Sequence, residues 1–125
     1  MSEVVEIHIE QHAVESGDRI AGSVRFPHPP SDKLSKVKAV KLSVHARIHG
    51  SGSEETFVAH SRVLAEGPQT GAPIPFEVKI PDDAPITWDG RHVKVSWVAS
   101  VELDIPWALD PRDAASFKVV PKKAR

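Results

Sequence analysis

The sequence predicts an all-β domain folded as a two-sheet antiparallel β-sandwich. Three observations lead to this prediction. Apolar and polar residues alternate along most of the chain, clusters rich in proline and glycine interrupt the alternation, and no window of helical length shows a 3.6-residue apolar period free of those two residues. An alternating strand is apolar on one face only. Without an amphipathic helix to cover that face, a second sheet has to do so.

Six segments show the alternation clearly, and each is typical of a half-buried strand. In chain order their inward positions are Val5, Ile7 and Ile9; Ile20, Gly22, Val24 and Phe26; Val40, Leu42, Val44, Ala46 and Ile48; Ile74, Phe76, Val78 and Ile80; Val93, Val95, Trp97, Ala99, Val101, Leu103 and Ile105; and Phe117 and Val119. With the segment from Glu54 to Glu66 they make about seven strands, the usual number in an immunoglobulin-like sandwich. We expect Trp97 and Phe76 at the centre of the core.

The segment from Glu54 to Glu66 alternates less regularly. Phe57, Ala59 and Val63 share one parity, whereas Val58 and Leu64 share the other. Either a β-bulge or apolar neighbours on both faces would explain the switch. The strands are separated by turn-forming clusters at residues 15–18, 27–32, 49–53, 67–73 and 81–90. We find no linker or internal repeat, and we expect residues 1–125 to form a single domain.

Composition limits the classes of partner. The chain carries 16 basic and 17 acidic residues, so it lacks the positive excess that attracts nucleic acid or an anionic membrane. It has no cysteine, which excludes disulfides and thiolate metal sites and is compatible with the cytoplasmic location that we predict. The first 12 residues are acidic and alternating, unlike an export signal. No apolar run approaches the ~20 residues that span a bilayer, so we expect no membrane insertion.

Several weak motifs occur in a recognisable order. They are Glu15-Ser16-Gly17-Asp18, a following strand with the internal Gly22, a long segment from Lys36 to Gly50, a strand ending in Pro81, the triplet Trp88-Asp89-Gly90, a second long strand, Leu103-Asp104-Ile105-Pro106-Trp107, and a final Phe-X-Val strand. Over nearly the whole chain this order resembles the N-terminal domain of arrestins. It is also similar to the arrestin-like bacterial sporulation-control proteins and retromer cargo-binding subunits. The resemblance implies an arrestin-like sandwich that serves as an adaptor.

Some arrestin functions do not transfer with the resemblance. Arrestins have two sandwiches in tandem, and this chain has room for one. Family members that recruit ubiquitin ligases use Pro-Pro-X-Tyr tails, whereas this chain contains no tyrosine. Phosphate-sensing arrestins carry adjacent lysines on an early strand, where the segment from Val4 to His12 has glutamates and histidines.

Histidines and aspartates are the candidate metal ligands. His8 and His12, like His45 and His49, are four residues apart, which on a strand separates them by about 13 Å. One ion with ligand bonds of ~2 Å cannot bridge that distance. Only a cross-strand arrangement, such as His45 or His49 beside His60 or His92, could build a site. The loop aspartates that could gather calcium lack EF-hand spacing; they are Asp82, Asp83, Asp89, Asp104, Asp110 and Asp113.

We therefore predict no metal site and no cofactor, and we expect these side chains to be solvated or to cap turns. Catalytic signatures are also missing from the sequence. Serines and histidines are plentiful, but there is no Gly-X-Ser-X-Gly elbow, and the glycine pairs lack the strand-to-helix context of a phosphate-binding loop. We predict that the protein is not an enzyme.

Five residues are candidate partner-binding positions. Val5 and Ile7 lie on the first strand, a plausible sheet edge that could accept a partner's strand through backbone hydrogen bonds. Trp88 and Trp107 lie at strand ends, where an aromatic ring either plugs the sandwich or projects as an anchor. Arrestins have aromatics at both positions, which favours plugging. Val98 is apolar on an otherwise polar outward parity.

The resulting hypothesis is a non-enzymatic adaptor that binds a partner protein through an edge strand or an outer sheet face, with the partner in the cytosol or associated with a membrane. Two alternatives stay open. One is a structural module that self-associates as a homodimer through its sheet edges. The other is a sandwich that binds a small ligand or a metal through its outer histidines and loop aspartates.

Overall fold

Strands make up nearly all of the regular structure. The computed structural model describes residues 4–27, 32–50, 52–106 and 110–123. In this part of the chain the strands are β1 (Glu6–Ile9), β2 (Ala13–Glu15), β3 (Arg19–Arg25), β4 (Ala39–Gly50), β5 (Ser53–Glu66), β6 (Ile74–Lys79), β7 (Trp88–Asp89), β8 (Lys94–Asp104) and β9 (Arg112–Val120). A 3-10 turn at Leu34–Lys36 is the helical element between them. Across the described residues, no helix has the length and apolar character needed to cross a membrane.

The strands form two sheets. The smaller sheet has the order β1-β3-β6, and the larger has the order β2-β9-β8-β4-β5, with β7 alongside β8. Neighbouring strands run antiparallel, except that β2 pairs with β9 in parallel. The two long alternating segments of the sequence, β4 and β8, are neighbours in the larger sheet. The predicted two-sheet sandwich is confirmed.

The core lies between the sheets and centres on Trp97. This side chain is 0% exposed, and its ring packs against Phe57 and Phe117 at centroid distances of 6.1 and 5.8 Å. Its indole N–H donates a hydrogen bond to the Pro85 carbonyl at 2.7 Å. The one polar atom of this buried side chain therefore has a hydrogen-bond partner. Phe76 on β6 is buried as well. Both aromatics are buried, as the strand pattern predicts, but Phe76 lies on an outer strand and also lines a surface groove with Arg62 and Glu77.

A β-bulge explains the irregular parity of β5. His45 pairs with Val58 and the preceding Val44 pairs with His60, so Ala59 has no partner across the ladder. A second shift further along leaves Leu64 unpaired in the same way. Each extra residue reverses the in-and-out parity of those that follow it. The bulge, one of the two explanations that the sequence left open, is therefore confirmed.

Two short strands go beyond the sequence prediction. β2 spans three residues and β7 spans two. Segments this short show no period, because alternation needs about four residues to be recognised. Both lie within or beside stretches that the sequence marks as connections.

Candidate protein-binding surface

The first strand is a sheet edge, as predicted, but its apolar side chains belong to the core. β1 is an outer strand of the smaller sheet. The side chains of Val5 and Ile7 are only 0% and 5% exposed, so they are not available to a partner. The Ile7 N–H also donates a hydrogen bond of 3.0 Å to the carboxylate of Asp113 on β9. One backbone donor of this edge, the Ile7 N–H, is therefore already hydrogen-bonded within the molecule.

Trp88 projects from the sandwich instead of plugging it. The side chain is 61% exposed. Its strand, β7, is two residues long and pairs with Lys94 and Val95 at the start of β8, so the ring lies at the margin of the larger sheet. The interpretation of Trp88 as a plug is therefore wrong, because its strand lies where the sandwich ends. Trp107, the other predicted aromatic, lies outside the described residues.

Val98 lies near the middle of the outward face of the larger sheet. It is opposite His45 on β4 and Ser116 on β9. His45 is in turn opposite Val58 on β5, whose side chain is 56% exposed. These four residues form one row that crosses four strands, because directly opposed residues in a sheet share a face.

The neighbouring row on this face consists of small residues. Ser43 on β4 lies opposite Ser61 on β5 and Ser100 on β8, and Ser100 lies opposite Ala114 on β9. Together the two rows make a continuous area without formal charge. We name it the uncharged patch, and its eight members are Val58, His45, Val98, Ser116, Ser61, Ser43, Ser100 and Ala114.

His45 is the only member of the uncharged patch that can ionise. Burial lowers the pKa of its imidazole below the usual 6.5 by desolvating the charged form, and the nearby Arg47 lowers it further. Its Nδ1 is also 3.1 Å from the Ser43 hydroxyl, a hydrogen-bonding distance. His45 is therefore neutral at physiological pH, and the patch is uncharged as a whole.

Charged residues border the uncharged patch on both sides. On one side the next row contains Lys41, Glu102 and Arg112, and Arg112 reaches Glu102 at 3.6 Å. On the other side the next row contains Arg47 between the uncharged Thr56 and Ser96. Beyond it lies a row formed by Glu54, His49, Lys94 and Asp89. The patch shares the depletion of charge at its centre with protein–protein interfaces, but it is richer in serine and alanine than they are.

A groove runs along this face over β4, β8 and β9. It encloses about 400 Å³ and reaches from the uncharged patch to the charged rim. The residues that line it include His45, Arg47, Val98, Ser100, Glu102 and Arg112. Val98 supplies an apolar wall of the groove, and Arg47, Glu102 and Arg112 supply its ionic groups.

The sheet register does not assemble the cross-strand histidine site that the sequence left open. His45 faces Val58 and Val98, and His49 faces Glu54 and Lys94. In the part of the chain that the structure describes, no three His, Asp or Glu side chains are grouped so that they could hold a metal ion. His8, His45 and His49 instead form polar contacts, such as His8 with Glu6 at 3.2 Å, whereas Nε2 of His60 is buried without a hydrogen-bond partner among the described residues.

Seven of the eight patch residues were not predicted to bind a partner, although His45 was considered as a metal ligand. Val98 was recognised because it breaks an otherwise polar parity. The others are serines, alanine, histidine and valine that look unremarkable along a single strand. Only the pairing register of the strands brings these residues together. The sequence could have predicted that Ser43, His45 and Ser100 face outward, because they lie on the outward parity of β4 and β8.

Comparison with known proteins identifies the family. A model of the Spo0M family, described as SpoOM protein, matches residues 2–125. The crystal structure of Spo0M, the sporulation control protein from Bacillus subtilis, superposes with a TM-score of 0.70 and 21% identity, covering 95% of this chain and 49% of that chain. A superoxide reductase (neelaredoxin) from Ignicoccus hospitalis superposes with a TM-score of 0.52 and 11% identity, covering 95% and 82% of the two chains. No curated protein sequence matches significantly.

At these identities the solved structures show the fold alone, and this chain spans about half the length of the Bacillus subtilis protein. The arrestin-like sandwich and the similarity to sporulation-control proteins, both expected from the motif order, are confirmed. Because the family model extends over nearly every residue, the chain belongs to the Spo0M family of arrestin-like proteins.

Proposed function

We propose that this chain is a non-enzymatic adaptor domain that docks a partner protein on the uncharged patch. The observation that carries the proposal is the arrangement of charge on the outward face of the larger sheet. In a sequence that is 26% charged, eight adjacent surface positions on four strands carry no charge at neutral pH. Lys41, Glu102 and Arg112 border them on one side, and Arg47 borders them on the other. Desolvating such a centre costs less than desolvating charged side chains, provided that the partner hydrogen-bonds the serine hydroxyls, while the rim orients the partner.

The side chains of the patch suit a docking surface. Serine, alanine and valine lose little rotamer freedom when they become ordered, so binding carries a small entropic cost. Val58 and Val98 supply apolar area, and the serine hydroxyls can both donate and accept hydrogen bonds. Because the side chains are short, a partner's backbone can approach the sheet closely.

Family membership supports a regulatory role over a catalytic one. The Bacillus subtilis relative is described as a sporulation control protein. We propose that this chain also regulates by binding another protein. The proposal keeps two predictions from the sequence, a single domain over residues 1–125 and a cytoplasmic location. Partners that are associated with a membrane are included as well.

Affinity capture with matched variants tests the proposal. The tagged chain is recovered from its native cells, with soluble and detergent-extracted fractions analysed separately by mass spectrometry. Val98→Arg places a charge in the centre of the patch. Val93→Arg places the same charge on a valine outside the patch, which the strand pattern predicted to be inward but which is 43% exposed. We expect a stoichiometric partner with the unmodified chain and with Val93→Arg, and about tenfold less of it with Val98→Arg, because an unpaired charge would be buried on docking.

A tag-only bait is the control for adhesion to the resin, and circular dichroism checks that both variants are folded. Equal recovery of the partner by Val98→Arg and Val93→Arg would contradict docking on the patch. Recovery of the bait alone from both fractions would contradict the adaptor function itself.

A further inference from the structure

β5 is the longest outer strand of the two sheets in the described part of the chain. It spans 14 residues, Ser53–Glu66, and in the described part of the chain it pairs with β4 alone. The sequence from 53 to 66 contains neither proline nor lysine, two residues that protect an edge from further pairing, and its two bulges are the protective feature that it does have. The other outer strands are shorter: β1 has four residues, β2 has three and β6 has six. β5 therefore offers the longest row of backbone groups to a further strand.

Two opposite charges on β5 lie on the same face of the sheet. Glu55 is opposite Ile48 and Arg62 is opposite Leu42, and both of these β4 residues belong to its core-facing parity. Residues seven positions apart on a regular strand lie on opposite faces. The extra residue at the Ala59 bulge reverses the parity between them and brings both charges to one side.

A second copy of the same strand matches this pattern. When two β5 strands run antiparallel about a two-fold axis and Glu55 faces the second copy's Arg62, the neighbouring pairs follow by counting along the strands. They are Glu54 with Val63, Thr56 with Ser61, and Phe57 with His60. The β4 register puts both members of every pair on the same face: outward for Glu54, Thr56, Ser61 and Val63, and core-facing for Glu55, Phe57, His60 and Arg62.

Neighbouring registers lose the ionic pairs. Shifting one strand by two residues places Glu55 opposite either His60 or Leu64 of the second copy. His60 has a pKa lowered by burial and by the nearby Arg62, so at neutral pH it does not substitute for the arginine. The symmetric register is therefore the one that joins opposite charges, and it does so twice because of the two-fold axis.

Both charges are available for such pairing. Glu55 and Arg62 are exposed, and no ion pair engages either of them within the residues that the structure describes. Arg62 shares a groove with Glu10 and Glu77, and neither carboxylate is within ion-pair distance of it; Glu77 is hydrogen-bonded to Arg19 at 2.6 Å. A partner's carboxylate would therefore find the Arg62 guanidinium unpaired.

We propose that two copies of this chain associate through antiparallel pairing of their β5 strands, with two reciprocal Glu55–Arg62 ion pairs that set the register. The larger sheets of the two copies then join into one continuous sheet. The uncharged patches lie on the same outward side of that sheet, so the dimer presents two docking surfaces to one partner and gains avidity. The self-association does not depend on the adaptor function, because it uses the strand edge and leaves the patch exposed.

Charge reversal tests the dimer in the purified 125-residue chain, with the association state measured by sedimentation velocity. Glu55→Arg alone places two arginines opposite each other at both pairs, and Arg62→Glu alone does the same with two glutamates. We expect either change to raise the dimer dissociation constant by about tenfold, since two exposed ion pairs become two like-charge contacts. The double variant, Glu55→Arg with Arg62→Glu, restores both pairs and is expected to dimerise like the unmodified chain.

Mixing the two single variants gives the most specific readout. A copy with Glu55→Arg is basic at both positions and a copy with Arg62→Glu is acidic at both, so each variant repels itself but attracts the other. An equimolar mixture is therefore expected to form heterodimers, although neither variant forms homodimers. Arg91→Glu, which reverses an exposed charge in the turn after β7, is the control and is expected to leave the dimer unchanged. An unmodified chain that stays monomeric at millimolar concentration would overturn the proposal, as would folded single variants that dimerise normally.

Discussion

Gly22 is a residue whose identity is set by packing between strands. It pairs with Ile9 on β1 and with Phe76 on β6, in the middle of the smaller sheet. A Cβ atom built at this position would overlap the backbone carbonyl oxygen of His8 and lie 2.8 Å from Cζ of Phe76. The position therefore needs glycine because two neighbouring strands leave no space for a side chain.

Gly22→Ala is expected to lower the free energy of unfolding by about 1–3 kcal/mol, because the added methyl group has to displace the backbone of β1 or the ring of Phe76. Gly50→Ala is the matched control, since its Cβ would meet nothing nearer than the Ser53 hydroxyl oxygen at 3.8 Å. We expect this control to change stability by less than about 0.5 kcal/mol. Urea denaturation measures both variants, and equal losses would contradict the packing explanation.

At the residue scale the sequence predicts burial better than it predicts exposure. Alternation identified Trp97 and Phe76 as core residues, because a side chain in the middle of a long strand is covered wherever the second sheet lies. The same reasoning failed for Trp88, since the pattern along one strand does not show where the opposing sheet ends. Val98 was correctly predicted to face outward, because the parity of a residue along a strand determines which face of the sheet it lies on.

At the scale of elements, β1 illustrates how the two sheets are tied together at an edge. The carboxylate of Asp113, on β9 of the larger sheet, accepts the hydrogen bond from Ile7 N–H on β1 of the smaller sheet. An amide that is partly buried costs free energy when it is left unpaired. Asp113 therefore both joins the sheets and protects the edge of β1.

Asp113→Ala is expected to destabilise the fold by about 1–2 kcal/mol, because the Ile7 amide loses its acceptor. Asp113→Asn keeps an acceptor oxygen and is expected to cost clearly less. Asp83→Ala, in an exposed turn, serves as the control for removal of a carboxylate. Thermal unfolding reports the stabilities, and hydrogen exchange at the Ile7 amide should accelerate in Asp113→Ala; unchanged exchange there would show that the hydrogen bond does not protect the edge.

The strands differ in how well the sequence predicts them. β4 and β8 have 12 and 11 residues with a regular period, so both were identified. β5 was identified with an irregularity that proved to be a bulge, because a parity switch is visible in a single strand. The carboxylate that protects β1 was not predicted, since Ile7 and Asp113 are 106 positions apart and belong to different sheets.

At the scale of the whole molecule, the outward face of the larger sheet combines residues from four strands into one surface. Each strand contributes two members to the uncharged patch, and they come from positions as distant as Ser43 and Ser116. The motif order predicted the arrestin-like fold that positions these strands. It could not predict the patch, because membership depends on the register of three strand pairs, and a slip of one residue in any pair would turn the opposite faces outward.

Site-specific photo-crosslinking in native cells tests most directly whether the patch docks a partner. A photoreactive benzoylphenylalanine replaces Val98 at the centre of the patch or, as the matched control, Val93 outside it. Docking on the patch predicts a covalent adduct between position 98 and a different protein, and a much weaker adduct or none from position 93. Equal adducts from both positions, or adducts at position 98 with other copies of this chain alone, would contradict it.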